Sequence, residues 1–264
     1  MNRSSEPPTS RKPPRLFLRY GAFLFVLSLF LTISVIAQTS TRRTTATNDS
    51  VVIVVMGSST AKGGGVSRPD SAWVKRYERA LRYWYPALRV VTLAQWAYTT
   101  YHFLPLADSI PPDRPTPDSA LSVDVAVSPA IHADAIIVNL PTNDVASGFD
   151  SLEIRRNFER IAERAGEIPL WVCTPQPRNL PDSLRVRLIE LKGWIEQRFS
   201  PRVIDFWSGL AAEDGSLLPQ YDSGDGTHLN DAGHRILFER VYTAAIPASI
   251  IERRKRTAAG EVSP

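Results

Sequence analysis

Apolar positions along the chain keep two rhythms. Short, nearly continuous apolar runs cover Val51–Met56, Leu88–Leu93, Ala135–Leu140, Pro169–Thr174 and Arg202–Phe206. Each has the length of a strand, and the first is apolar enough for burial on both faces. Between them the spacing becomes helical. Ser71–Tyr85 carries Ala72, Trp73, Tyr77, Ala80, Leu81 and Trp84 among charged residues, and Pro86 stops it. Ser151–Ala165 has Phe158, Ile161 and Ala162 on one side, and Asp182–Phe199 has Leu184, Leu188, Leu191 and Ile195 in a stripe. Leu229–Ala245 reads as a closing helix. Trp96–Leu104 reads as a loop or helix start, and Asp108–Pro129 as a proline-rich surface loop with a short helix around Ser119–Val127. Asp214–Thr227 is a polar, glycine-rich loop. Strands alternating with helices of this length predict an α/β fold, a parallel sheet with helices on both faces. In such a sheet, ligands bind beyond the C-terminal strand ends.

The start of the chain has another pattern. Met1–Tyr20 is polar, proline-rich and basic, and Gly21–Ile36 is apolar apart from Ser28, Thr32 and Ser34. Val35-Ile36-Ala37 then places small or modest residues before Gln38, the three-part pattern of a secretory signal peptide. The same stretch is close to the length of a spanning helix, so residues 16–37 are also read as an uncleaved membrane anchor. Both readings export the rest of the chain, as a periplasmic, secreted or tethered protein. Residues 38–50, rich in Thr, Ser and Asn, form a linker. The folded body is expected over 51–246, and 247–264 is expected to be a frayed basic tail carrying Arg253-Arg254-Lys255-Arg256.

Charge does not alter this outline. The isoelectric point near 9.3 could suggest a nucleic-acid partner. Five basic residues and one acid lie in the first 37 positions, however, leaving 26 of each sign in the rest. The body is neutral, and no nucleic-acid binding is expected. Cys173 is the single cysteine, so no intrachain disulfide can form, and its apolar surroundings mark it as a core residue.

Candidate chemistry collects at strand ends. The first strand runs into Gly57-Ser58-Ser59-Thr60, with Gly63-Gly64-Gly65 just beyond. Either serine could be presented as a nucleophile in that turn. The glycines fit neither phosphate-loop pattern. The third strand ends in Pro141-Thr142-Asn143-Asp144. The last loop holds Asp225 and His228 three residues apart, a spacing that lets a carboxylate orient an imidazole able to activate a hydroxyl. Asp222, Asp231 and His234 add to this cluster, but its histidines are six apart rather than four, and no metal is expected. Trp96 and His102 are candidate substrate contacts, and a structural role is equally open for His102.

Taken in order, these segments resemble the SGNH (GDSL-type) hydrolase superfamily over about Val51–Val241. Gly57-Ser58-Ser59-Thr60 matches the Gly-Asp-Ser-Leu block and aligns Ser59 with the family serine. Ala97, in Leu-Ala-Gln-Trp-Ala-Tyr, stands where the family has an oxyanion-hole glycine. Pro141-Thr142-Asn143-Asp144 matches Gly-x-Asn-Asp, and Asp225-Gly-Thr-His228 matches Asp-x-x-His. The resemblance implies a flavodoxin-like three-layer α/β/α fold with a five-stranded parallel sheet. It also implies ester hydrolysis by Ser59, His228 and Asp225, an oxyanion hole formed by Ser59, Ala97 and Asn143, and no cofactor.

Three positions depart from the family pattern. Ser58 replaces a non-catalytic aspartate, Pro141 should stiffen the turn bearing Asn143, and Ala97 is strained if its backbone needs a positive φ. The glycine cluster beside Ser59 is expected to be slack. Small or carbohydrate-linked esters are the expected substrates. An acyltransferase with the same residues, or a non-catalytic glycan-binding relic, are the alternatives.

Overall fold

The computed structural model describes residues 50–260, so the leader over 1–37 and the linker up to 49 lie outside the described residues. Strand β1 (Val52–Gly57) is buried at every position. A one-turn helix α1 (Ser59–Lys62) comes next, then α2 (Trp73–Trp84) and β2 (Arg89–Ala94). After a 3-10 turn at Thr100–Phe103 and the short α3 (Val123–Ala126), β3 (Ala135–Asn139) leads into α4 (Thr142–Ala146) and α5 (Ser151–Ala165). The chain continues through β4 (Leu170–Cys173), α6 (Asp182–Phe199), β5 (Val203–Ile204), α7 (Asp231–Thr243) and α8 (Ile246–Ala258).

The five strands are parallel and ordered β2-β1-β3-β4-β5, the flavodoxin-like arrangement that the resemblance implies. The pleat of β1 sends alternate residues to opposite layers. Ile53 and Val55 pack with Trp73, Tyr77, Leu237, Val241 and Ile246, under α2, α7 and α8. Val54 and Met56 pack with Ile154, Phe158, Leu188 and Leu191, under α5 and α6. Ile137 and Ile136 of β3 divide between the layers in the same way. A strand covered on both faces has no use for polar side chains, which accounts for the unbroken apolar run that opens the body.

Register sets the level of the strand ends. Gly57 lies opposite Ala94 on β2 and Asn139 on β3. The segments carrying Ser59, Ala97 and Asn143 therefore leave neighbouring strands at one height. Successive strands are added toward one edge of the sheet from β1 to β2 and toward the other edge from β3 onward, and the crevice beyond the ends of β1 and β3 is where this topology places ligands.

The helices stop and start on local chemistry. Asp150 caps α5 by accepting the Leu152 N–H at 2.8 Å, and Glu153 accepts the Asp150 N–H in return. Asn230 caps α7 by accepting from Ala232 and Gly233.

The structure corrects the expectation of a frayed tail after residue 246. Ala245 turns the chain with a φ of 49°, and α8 begins at once, with Pro247 in its first turn, where a missing N–H costs nothing. Ile246 and Ile250 are buried in the core. Arg254 pairs with Asp134 at 2.6 Å, and Asp134 accepts the Val52 N–H at the start of β1. Cys173 is buried and pairs in register with Ile204, and burial pushes its thiol pKa well up. Among the described residues, no helix is long and apolar enough to cross a membrane.

Candidate active site

β1 ends at Gly57, and Ser58 takes an extended conformation before α1 begins at Ser59. The Ser59 N–H opens that helix and so has no intrahelical acceptor. The Ser59 side chain is almost wholly enclosed, and its Oγ lies 2.9 Å from Nε2 of His228. Nδ1 of His228 lies 2.6 Å from Oδ2 of Asp225. The other carboxylate oxygen, Oδ1, accepts the backbone N–H groups of His228 at 2.8 Å and Thr227 at 2.9 Å. Partial burial pushes the Asp225 carboxyl up. The His228 backbone N–H, its imidazole and the Thr227 N–H outweigh that and hold it well below the usual carboxylate range. An ionised Asp225 accepts only, so Nδ1 of His228 carries the proton and Nε2 is the acceptor for the serine hydroxyl. An antiparallel bridge between Asp222 and Leu229 closes the loop that carries the pair.

The glycine cluster beside Ser59 is packed, which corrects the expectation of slack. A Cβ on Gly64 would meet His228 Cδ2 at 2.6 Å and Trp96 at 3.0 Å. Gly65 has a φ of 90°, and a Cβ there would lie 2.4 Å from the Leu229 carbonyl oxygen. Two residues of α7 hold this loop. His234, fully buried, accepts the Trp73 N–H on Nδ1 at 3.2 Å and donates from Nε2 to the Gly64 carbonyl at 2.9 Å. Its pKa is pushed down to about 4 by burial, which keeps the ring neutral. Asp231 accepts from Ser67 and Ser71. His234 is thus a helix residue bonded to a loop carbonyl.

Ala97 sits at a φ of 62°, the left-handed region in which an alanine is strained. No backbone carbonyl among the described residues engages its N–H. The turn around it is fixed by Gln95, whose Oε1 accepts from Lys62 Nζ and from the Trp96 N–H. Asn143 lies in the first turn of α4. Its Nδ2 donates to the Tyr98 carbonyl at 3.0 Å, and its Oδ1 accepts from Arg178 Nη1 at 3.2 Å. Two bonds fix the amide and leave one N–H uncommitted. Trp96 is half-exposed and meets the His228 ring edge-on at 5.9 Å.

His102 is occupied by the fold. It stacks on Tyr98 with centroids 3.9 Å apart, and its Nδ1 accepts the Thr99 N–H in a capping box.

Several residues that sequence reasoning did not select tie the site together. Asp144 is fully buried and accepts the Thr100 N–H at 2.9 Å and its hydroxyl at 2.5 Å, joining α4 to the segment after Ala97. Burial pushes its carboxyl up to about 7 against those bonds. The loop between β4 and α6 touches three neighbours: Gln176 bonds Thr60 at 2.5 Å, Arg178 bonds Asn143, and the Asn179 N–H donates to the Gly226 carbonyl at 2.7 Å. This Pro-rich stretch leaves the C-terminal end of a parallel strand, and that position was the available signal. Among the described residues, no group of three or more His, Cys, Asp or Glu side chains is placed to hold a metal ion.

Comparison with known proteins bears on the fold and the family. No curated protein sequence matches the chain. Among solved structures, an esterase, EstA, from Pseudoalteromonas sp. superimposes with a TM-score of 0.53 at 13% identity, covering 74% of this chain and 96% of its own. A GDSL-like lipase from Bacteroides thetaiotaomicron gives 0.53 at 16% identity, over 80% and 97%. A lipase from a goat rumen metagenome gives 0.54 at 16%, over 74% and 97%. At these identities the likeness is one of fold. Residues 55–236, more than half of the chain, match the GDSL-like lipase/acylhydrolase family as a sequence. With the β2-β1-β3-β4-β5 sheet and Ser59 at its first strand end, the match has one meaning: the protein belongs to the GDSL-like lipase/acylhydrolase family, the SGNH hydrolases.

Proposed function

We propose that the protein is an exported serine ester hydrolase that removes small acyl groups, with carbohydrate esters as the favoured substrates. The observation that carries this reading is the continuous hydrogen-bonded line from Asp225 through His228 to Ser59, at 2.6 and 2.9 Å. His228 Nε2 takes the Ser59 proton as Oγ forms its bond to the ester carbonyl carbon. Asp225 holds the imidazole in the required tautomer and stabilises its charged form. The carbonyl oxygen gains negative charge and is met by the N–H groups of Ser59 and Ala97 and the uncommitted N–H of Asn143. Each such donor contributes about 3 kcal/mol to the transition state in comparable enzymes. Collapse of the tetrahedral intermediate breaks the bond to the alcohol, which leaves with the proton from His228. Water, deprotonated by His228, then releases the acid and restores Ser59.

No cofactor enters this scheme. The half-exposed Trp96 beside His228 supports an open site with an aromatic platform, which suits a sugar ring. We assign His102 to shaping the loop rather than to contacting substrate. Export rests on the leader pattern of residues 1–37, read as a signal peptide or an anchor.

Hydrolysis of p-nitrophenyl acetate by the protein and by Ser59→Ala tests the reading. The wild-type protein should turn over and be labelled at Ser59 by a fluorophosphonate, and the variant should do neither. Wild-type rates in Ser59→Ala would remove Ser59 from the mechanism. Transfer of the acyl group to an added sugar in place of water would make the protein a transferase.

A further inference from the structure

The two ends of an asparagine amide have nearly the same shape, and only their neighbours decide which end faces which way. At Asn143 the neighbours are unambiguous. A guanidinium carries donors alone, and Arg178 Nη1 stands 3.2 Å from Oδ1. A backbone carbonyl accepts alone, and the Tyr98 oxygen stands 3.0 Å from Nδ2. Turning the amide over would set N–H groups against the guanidinium and two carbonyl oxygens against each other.

We infer that Arg178 is the positioning residue of Asn143, fixing which end of its amide faces the reacting carbonyl and strengthening the N–H offered there. The inference rests on the reading of Asn143 as an oxyanion donor. A cation bonded to Oδ1 draws electron density from the amide and makes the remaining N–H a better donor.

The setting of Arg178 supports a function rather than a contribution to stability. It is half-buried, and burial pushes its pKa down, offset in part by the charge of Asp225. Its hydrogen-bond partner is a neutral amide, and no carboxylate among the described residues forms an ion pair with it. Withdrawing a cation from water to meet one neutral acceptor is unfavourable for folding alone. The flanking residues hold it there. Gln176 is bonded to Thr60, next to Ser59, and Asn179 is bonded to Gly226, next to Asp225. A Cβ on Gly226 would lie 3.0 Å from the Asn179 side chain, so the two loops are in contact at that point. The β4–α6 loop thus meets the segments bearing the nucleophile, the oxyanion donor and the acid–base pair.

A double-mutant cycle on the full-length protein tests the inference, with p-nitrophenyl acetate as substrate. Arg178→Met should lower kcat by about tenfold or more, leave KM within about twofold, and leave the melting temperature near that of the wild type. Arg178→Lys, which keeps the charge, should recover part of the rate. In an Asn143→Ala background, adding Arg178→Met should change kcat by less than about twofold, because the group it acts through is gone. Should Arg178→Met not fold, Arg178→Gln carries the same cycle. Wild-type kcat in the arginine variant, losses that multiply in the double variant, or an effect confined to KM would overturn the inference. Wild-type activity in Asn143→Ala would instead overturn the parent reading of Asn143, and the inference with it.

Discussion

Gly64 lies against the His228 imidazole so closely that a Cβ would fall 2.6 Å from its Cδ2 and 3.1 Å from its Nε2. The imidazole therefore rests on bare backbone, and the 2.9 Å contact to Ser59 depends on the absence of one methyl group. Gly64→Ala should displace the ring and lower kcat by about 100-fold, as displacements near 1 Å do at reacting groups. Gly193→Ala is the control. It lies inside α6 with open space around it, and should raise stability by about 0.5–1 kcal/mol without altering kcat. Wild-type kcat in Gly64→Ala would show that the loop, and not the ring, gives way.

Ala97 occupies a left-handed backbone conformation that disfavours any side chain. Relief of about 1–2 kcal/mol of strain, less the added freedom of a glycine in the unfolded chain, leaves Ala97→Gly more stable by about 0.5 kcal/mol. Its N–H is unchanged, so kcat should be preserved. Ala97→Val should lose about 1 kcal/mol or more, because a β-branched residue is worse there than alanine. Denaturant midpoints of the three proteins check the order Gly above Ala above Val.

Buried His234 makes stability sensitive to acid. Its folded pKa, about 4, lies below the ordinary 6.5 because the charged ring cannot be solvated. Its contribution is therefore complete above pH 6.5 and disappears as the pH falls through 4, a loss of about 3 kcal/mol. Asp144 acts in the opposite sense. Its carboxyl is pushed up to about 7, so its contribution is complete below the ordinary value of 3.8 and disappears as the pH rises through 7. Subtracting the stability profile of His234→Gln from that of the wild type isolates the first effect. A difference that stays flat between pH 7 and 4 would count against it.

Removing core packing under the last helix should affect stability and spare catalysis. Ile250 is buried under α8, and Arg254 one turn further along that helix pairs with Asp134, which bonds the start of β1, the end of the strand away from Ser59. Ile250→Ala should cost about 2–4 kcal/mol, read as a fall in melting temperature, with kcat unchanged at temperatures where the variant is folded. A variant as stable as the wild type would mean that α8 is not part of the cooperative unit.

The sheet and its long helices were legible because burial on two faces leaves a periodic signature, and the bounds of α5 and α6 match their apolar stripes. Asp225 and His228 were legible by their three-residue spacing, whereas only the family resemblance favours Ser59 over Ser58. In the structure the three side chains lie within hydrogen-bond distance of one another in order from acid to hydroxyl. Helix α8 was not, since the Ala-Ala-Ile-Pro that opens it reads as a stop, whereas a proline in a first turn marks a start. The packed state of Gly64 and Gly65 was hidden because composition does not show what a missing Cβ would strike. Gln176, Arg178 and Asn179 resemble an ordinary turn, and their partners are distant in the chain. Ala97 is intermediate: its N–H was expected from the resemblance, and its strain comes from a φ that only coordinates supply.

Ser59 and His228 stand 169 positions apart, and Thr60 and Gln176 are 116 apart. Contacts of such high order come late in folding, because long loops must close before those contacts can form. Ser59, the nucleophile we propose, cannot meet His228 until the last loop and α7 have returned to β1. Enzymatic rate regained during refolding is thus a clock for the final assembly of the sheet, and should lag behind the return of helical signal from α2, α5 and α6.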